Sequence, residues 1–367
     1  MATHLIAVEI SQCGLKLWDD ENSLYPNMNL LFIQNAAKMV PRLGNTQVLI
    51  YLLCITAIGV LSRYSWDMSL HYLGPENSGL CACHKCLTES DPWFRELINS
   101  SPTPFLSRNY TSSEDDFIWW KHIQNEGRNF DFYKTTVDRL FQIFPPIPDV
   151  VGPSPDRCRT CAVVGNSGNL KGSHYGPLID SHDIIIRMNH GRTKGYEADV
   201  GNKTTHHVMY PESAINLDNT THLVLFPFKI NDLLWLLKSF DPGENNANKA
   251  RRANKDLVMI LNPAFMKYVH EMWLGKKGNY PSTGFLTLAL STQMCDEVNV
   301  FGFGADRDGN WNHYFEILKN KQLRTGPHAG MHEHEVILKL KEQQKIGVFK
   351  GCNIFAWVCT HLMRLLY

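Results

Sequence analysis

Near the middle of the chain a short apolar run, Ala162-Val163-Val164, stops at Gly165-Asn166-Ser167-Gly168-Asn169. Small and amide residues in that order can turn sharply and present backbone N–H groups to a phosphate. A second apolar run, Ile184-Ile185-Ile186, leads into Arg187-Met188-Asn189. Taken by themselves the residues spell strand, phosphate-friendly turn, strand, a pattern many nucleotide binders share; the glycine spacing is not GxGxxG, which sets a dinucleotide-dependent oxidoreductase aside. Ser282-Thr283-Gly284 precede a helical stretch, where a hydroxyl cap and free N–H groups make a second anion site. Gly326 to Glu335 supplies His328, His332 and His334 with Glu333 and Glu335, so that His328 with His332, or His332 with Glu335, could imitate a metal-binding helix. Asp306-Arg307-Asp308 offers two carboxylates one residue apart, a shape suited to a divalent cation.

The elements that must position these groups alternate. Strand candidates at Ala162–Val164, Ile184–Arg187, His222–Pro227, Leu257–Leu261 and Val298–Phe303 are separated by helical candidates at Ile230–Phe240, Ala264–Leu274 and Gly284–Met294. Phe117 to Phe144 reads as helical, with apolar residues at Phe117, Trp120, Ile123, Phe132, Val137, Leu140 and Phe141. Such alternation predicts an α/β fold, a mostly parallel sheet flanked by helices, with ligands at the carboxyl ends of the strands. At 367 residues the chain suits one large domain with appendages; Lys+Arg and Asp+Glu are both 36, and this balance gives nucleic acid no electrostatic footprint.

Cys81, Cys83, Cys86, Cys158, Cys161 and Cys295 fall in the proposed core. Their CxC-x-x-C and C-x-x-C spacings fit either zinc or disulfides; a sheet enzyme in an oxidising compartment favours disulfides, although spacing cannot choose the pairs. Val48 to Leu61 is an uninterrupted apolar run preceded by Lys38 and Arg42. It predicts a signal anchor with its N-terminus cytoplasmic, short of the roughly 20 residues a full span prefers. A buried helix or cleavable signal is the competing reading. Asn99, Asn109, Asn202 and Asn219 begin N-x-S/T sequons, which matter only in the secretory pathway.

The identity of these residues says more than their types. Cys158 to Ser213 closely resembles the large sialyl motif of animal sialyltransferases. Asn279-Tyr280-Pro281-Ser282-Thr283-Gly284 through Cys295-Asp296-Glu297-Val298 to Phe301-Gly302-Phe303-Gly304 resembles the small motif. His313-Tyr314-Phe315-Glu316 resembles the third, and His328 with Glu333 the very small one, all in the family's order. The resemblance covers roughly Cys81 to Gly351. It implies a variant nucleotide-sugar glycosyltransferase (GT-A-like) fold with an N-terminal signal anchor, in a type II protein of the Golgi membrane with a luminal catalytic domain. It further implies the divisions 1–45 cytoplasmic tail (with Met39 an alternative start), 46–64 anchor, 65–113 stem, 114–351 catalytic domain and 352–367 atypical tail. The disulfides implied are Cys161–Cys295, Cys83–Cys158 and Cys81–Cys86.

The resemblance also implies CMP-sialic acid as donor and no metal or other cofactor, Asp306-Arg307-Asp308 notwithstanding. By motif position, Asn166, Ser167, Asn169, Asn189, Tyr280, Ser282, Thr283, Gly284, Gly304 and Trp311 would bind the donor, and His313 would face its phosphate. His328 would be the general base, imidazole titrating near neutral pH. Glu316 and Glu333 would support the two histidines, while His332 and His334 would stand outside the site. Thr204-Thr205-His206-His207-Val208-Met209-Tyr210-Pro211-Glu212-Ser213, Asn262-Pro263-Ala264-Phe265 and Gly304-Ala305-Asp306 resemble the branch making α2,3 linkages to Galβ1-3GalNAc. Trp119-Trp120 with Gln124 resembles that branch's acceptor-facing segment, Gln124 and Tyr280 being the acceptor contacts; the two tryptophans serve equally as helix core. The resemblance admits a homodimer. Asn312 stands where close relatives have another histidine, and the loop Asp241–Asp256 lacks their aromatic residue. An α2,6-sialyltransferase acting on GalNAc, or a weakly active glycan-binding relative, are the alternatives.

Overall fold

The computed structural model describes residues 81–83, 86–87, 91–148, 154, 156–240, 253–316, 322 and 325–351. The tail and anchor segments, most of the 241–256 loop and the 352–367 tail lie outside the described residues. Among the described residues no helix is long and apolar enough to cross a membrane.

Seven parallel strands form one sheet in the order β5-β4-β3-β2-β1-β6-β7. They are β1 (Thr160–Val164), β2 (Ile184–Met188), β3 (His206–Met209), β4 (His222–Leu225), β5 (Val258–Ile260), β6 (Glu297–Phe301) and β7 (Gly347–Phe349). Parallel strands need covering on both faces, so β1 and β2 are apolar runs rather than alternations. In β1 and its neighbours Cys161, Val163, Ile186 and Val300 belong to the larger core, while Ala162, Val164, Ile185 and Phe301 belong to a second core with Leu170, Tyr175 and Ile179. The chain steps outward from β1 to β5 and then returns to place β6 on the other side of β1. The strand order therefore reverses at β1, and ligand sites in such sheets lie at the carboxyl edge beside that reversal.

Nine α-helices are described: α1 (Pro92–Asn99), α2 (Glu114–His122), α3 (Phe130–Ile143), α4 (Gly176–Asp180), α5 (Glu197–Val200), α6 (Ile230–Ser239), α7 (Pro263–Tyr268), α8 (Thr283–Met294) and α9 (Gly330–Glu342). Helix α8 is apolar almost all round and packs over β1, β2 and β6. Its buried hydroxyls are returned to its own backbone, Thr287 Oγ1 donating to Thr283 O at 2.7 Å and Ser291 Oγ to Leu288 O at 2.7 Å. Among the described residues the bridges are Cys81–Cys86, Cys83–Cys158 and Cys161–Cys295, the pairing the resemblance implied. Cys161–Cys295 ties the start of β1 to the end of α8.

Three local readings are corrected. The single helix expected over 117–144 is two, α2 and α3, because Asn125 adopts φ 50° ahead of Gly127 and turns the chain. The helix at 264–274 is α-helical only to Tyr268 and continues as a π-helical turn, Val269–Trp273. Described residues of the segment read as stem pack on the globular body, Leu87 N donating to Asp296 O at 3.0 Å. Asp91 caps α1, whose Phe94 is fully buried edge-on to Trp273 at 6.1 Å, and Leu106 N donates to Ile260 O at 2.9 Å on the edge of β5. A Ser- and Pro-rich composition hid these anchors.

Candidate active site

At the carboxyl edge, the turn after β1 locks onto the turn after β6. Asn166 Nδ2 donates to Met188 O at 3.1 Å, Ser167 Oγ to Gly304 O at 2.5 Å and Asn169 Nδ2 to Phe303 O at 2.9 Å. Gly168 N donates to Asn312 O at 2.7 Å, Tyr314 N to Asn166 O at 2.9 Å, and Ser167 bridges His313. Glycine is required where these turns meet: a Cβ on Gly165 would fall 2.5 Å from Gly302 O, and Gly302 itself has φ 72°. Asn189 follows β2 at φ 55°, a left-handed position asparagine tolerates, and its N–H donates to Val208 O at 2.8 Å.

The side-chain nitrogens of Asn166 and Asn169 are used and their oxygens are not. Asn166 Oδ1, Asn169 Oδ1, Asn189 Oδ1 and Asn312 Oδ1 are buried with no hydrogen-bond partner in the protein. Buried acceptors left unpaired carry a desolvation penalty, and four of them around one crevice suit a ligand that brings hydroxyl or amine donors. The N-terminus of α8 reaches the same crevice: a Cβ on Gly284 would lie 3.2 Å from the Phe303 ring and 3.8 Å from Met188 Sδ. The amides of Thr283 and Gly284 precede the first intrahelical bond and are oriented for an anion.

Ser282 is placed differently from its expected donor contact. Its N–H donates to Glu333 Oε1 at 2.7 Å, its Oγ donates to Glu333 Oε2 at 2.5 Å, and the same Oγ accepts from Phe285 N at 3.2 Å. The hydroxyl is engaged in capping α8 and joining it to α9. Glu333 is 6% exposed. Glu333→Ala is expected to lower stability by about 2 kcal/mol, roughly 5 °C in Tm, by stranding both Ser282 donors; Glu333→Gln should lose less, and differential scanning calorimetry of the two variants is the check.

A second group lies beside the first. Gln124 Nε2 donates to Tyr280 Oη at 2.7 Å. The Tyr280 ring stands edge-on to His328 at 4.8 Å, and His328 Nδ1 donates to the Tyr280 carbonyl at 2.9 Å. That bond fixes the tautomer and leaves Nε2 with its lone pair. Asn279 N donates to Pro327 O at 2.9 Å, clasping the two segments again. Gln124 is held by its own turn: Trp120 Nε1 donates to Pro227 O at 2.8 Å, and Glu126 Oε2 accepts from Ile230 N at 3.0 Å at the start of α6. Trp120 is fully buried core, whereas Trp119 is half-buried against His270 at 5.5 Å.

His313 carries Glu316: its backbone N donates to Oε2 at 3.1 Å and its Nδ1 to Oε1 at 2.8 Å. Burial pushes the Glu316 carboxyl up, but these two bonds outweigh it and hold the group below its ordinary range. The three histidines near α9 face three different neighbours. His332 meets Glu335 at 3.4 Å on the surface. His334, expected to stand outside the site, instead lies edge-on to Trp311 at 5.7 Å and over Gly304, where a Cβ would come within 3.2 Å of its ring. Both oxygens of Asp306 are taken by their own loop, Oδ1 accepting from Asn310 N at 2.7 Å and Oδ2 from Asn310 Nδ2 at 2.9 Å. Tyr210, given no role from sequence, closes β3 and packs on Phe228 at 5.7 Å, which packs on Tyr280 at 5.5 Å. The signal was present, since the 204–213 stretch ends a strand at the carboxyl edge. Asn99, Asn109, Asn202 and Asn219 are all exposed.

Residues 105–345 match the model of glycosyltransferase family 29 (sialyltransferase). The chain is 43% identical over 285 residues to CMP-N-acetylneuraminate-beta-galactosamide-alpha-2,3-sialyltransferase 1 of Gallus gallus, covering 74% of this chain and 82% of the relative. It is 42% identical over 281 residues to the corresponding sialyltransferase 2 of Mus musculus, covering 74% of this chain and 80% of that one. A crystal structure of a mammalian sialyltransferase in complex with Gal-beta-1-3GalNAc-ortho-nitrophenol aligns with a TM-score of 0.65 at 41% identity, over 74% of this chain and 100% of that chain. A family match across most of the described sheet, and relatives of this identity over most of their own length, make the chain a glycosyltransferase belonging to family 29, the sialyltransferases.

Proposed function

We propose that this enzyme transfers sialic acid from CMP-sialic acid to the 3-hydroxyl of galactose in Galβ1-3GalNAc, by an inverting single displacement. The observation that carries the mechanism is the Gln124–Tyr280–His328 constellation, in which the Tyr280 carbonyl accepts a hydrogen bond from Nδ1–H and leaves the lone pair of His328 on Nε2. Nε2 accepts the proton of the acceptor hydroxyl as its oxygen attacks the anomeric carbon from the face opposite CMP. The anomeric C–O bond breaks, its electron pair departs on the CMP phosphate, and a β-linked donor gives an α-linked product. The orphan amide oxygens of Asn166, Asn169 and Asn189 accept from donor hydroxyl and amine groups; the amides at the α8 N-terminus and His313 donate to the phosphate as its charge grows. Acceptor and linkage rest on relatives named for α2,3 transfer to β-galactosamide and on the disaccharide analogue bound by the structural neighbour.

No metal takes part in this reading, which is supported by the commitment of the Asp306 oxygens to their own loop. The fold is read as a variant of the GT-A-like type, supported by the parallel sheet and the site at its carboxyl edge. Exposed sequons and three disulfides support a luminal domain held in the Golgi membrane as a type II protein by the 46–64 segment. The test is transfer from CMP-sialic acid to Galβ1-3GalNAc in excess EDTA, with the linkage read by sialidases of known specificity. EDTA-resistant α2,3 product is the expected result; α2,6 product, or none from folded protein that binds CMP, would replace this reading with one of its alternatives.

A further inference from the structure

The donor crevice is rich in amides and poor in free charge. On the reading above, CMP-sialic acid brings two anionic groups, a phosphate and a carboxylate. Two basic side chains are engaged: His313 faces Glu316 at 2.8 Å, and Lys229 sits between Glu212 and Asp232, each at 2.9 Å. Arg192 is different. Its side chain is exposed, and among the described residues no carboxylate lies within ion-pair distance of it. The guanidinium carbon lies over the Phe315 ring at 5.5 Å, and Phe315 is stacked with His313 at 5.1 Å and 24°. A stacked guanidinium keeps its edge N–H groups free for a planar or tetrahedral oxyanion.

The backbone aims Arg192 at the same rim. Asn189 turns at φ 55°, and Gly191 N donates to Met188 O at 3.1 Å. A Cβ on Gly191 would come within 3.1 Å of the orphan Asn166 Oδ1, so this turn walls the crevice. The Arg192 carbonyl then accepts from Tyr314 Oη, fastening the turn to the segment that carries His313. We propose that Arg192 is a further donor-binding residue, holding an oxyanion of CMP-sialic acid beside His313. The proposal rests on the donor assignment above. It supplies the crevice with a fixed charge that the amide and hydroxyl residues named as donor contacts do not provide.

The test is Arg192→Gln and Arg192→Lys in the full chain, with binding of CMP and cytidine by calorimetry and KM for CMP-sialic acid. If Arg192 holds the phosphate, Kd for CMP rises roughly three- to tenfold in Arg192→Gln, with Arg192→Lys between, while cytidine is unchanged. If it holds the carboxylate, CMP binding is unchanged and KM for CMP-sialic acid rises by a similar factor. Either pattern supports the proposal, and either effect should shrink in high salt. Equal shifts for all three ligands would indicate a structural defect and overturn it, as would no shift in any. Failure of the unsubstituted chain to bind CMP would instead overturn the donor assignment, and the two failures are told apart by that control.

Discussion

His328→Ala is expected to lower kcat for transfer to Galβ1-3GalNAc by about a thousandfold at neutral pH, within the range general-base catalysis supplies. KM for CMP-sialic acid should stay within roughly threefold, because the donor contacts proposed above follow β1, β2, β6 and the start of α8 rather than involving this ring. The bond broken by the substitution is the one from Nδ1 to the Tyr280 carbonyl, and Asn279 N to Pro327 O still clasps the same two segments, so the fold should hold. Two controls sharpen the reading. His332→Ala removes a neighbour four residues away whose ring faces Glu335 at the surface, and should leave kcat near its original value. Tyr280→Phe deletes the acceptor of the Gln124 amide while leaving the carbonyl that orients His328, and should raise KM for the acceptor more than it lowers kcat. Retention of a tenth or more of kcat in His328→Ala would remove His328 from the base role, and His313 would be examined next. Steady-state kinetics with both substrates varied separate these outcomes.

How much of this was legible in the residues depends on where each signal lives. β1 and β2 were readable because parallel strands buried on both faces carry uninterrupted Val, Ile and Ala runs. β3 was not read as a strand, since His206-His207 puts two polar rings in a position that pattern reserves for aliphatic residues. They fit because His207 Nε2 donates to Asn189 O at 2.7 Å and His206 lies flat against His222 at 4.4 Å. The break between α2 and α3 was locally signalled by Asn125 and Gly127, but apolar spacing on either side masked it. Ser282 shows what local reading cannot reach. Cap chemistry placed it correctly at the N-terminus of α8, whereas the bond its hydroxyl gives to Glu333 spans fifty-one positions in sequence. His334 is the converse, a residue with no motif role that long-range packing sets against Gly304 and Trp311.

Those buried histidines carry the second large expectation, a steep loss of stability in acid. Burial, together with unfavourable charge at His222 and Arg159, pushes the His206 imidazole down from 6.5 to about 3. Burial and the charge of Arg187 and His190 push His207 down to about 4, against a smaller opposing contribution from the bond to Asn189 O. Both rings are therefore neutral in the folded protein at any pH above their depressed values, while in the unfolded chain they take up protons below about 6.5. The stabilisation is fully present above 6.5. It is lost as pH falls, because the unfolded state then binds protons that the folded state refuses, at about 1.4 kcal/mol per pH unit for each ring. The loss levels off only as pH reaches the folded values near 4 and 3. Between pH 6.5 and 5.5 the pair removes roughly 2 to 3 kcal/mol, a large share of the 5–15 kcal/mol typical of a folded domain. Urea unfolding at pH 7, 6 and 5 should show midpoints falling accordingly. His207→Gln, whose side-chain amide can still donate to Asn189 O without titrating, should flatten the slope by about one ring's worth. An unchanged slope in that variant would mean that His207 is already protonated in the fold, and that the sheet at β3 tolerates a buried imidazolium.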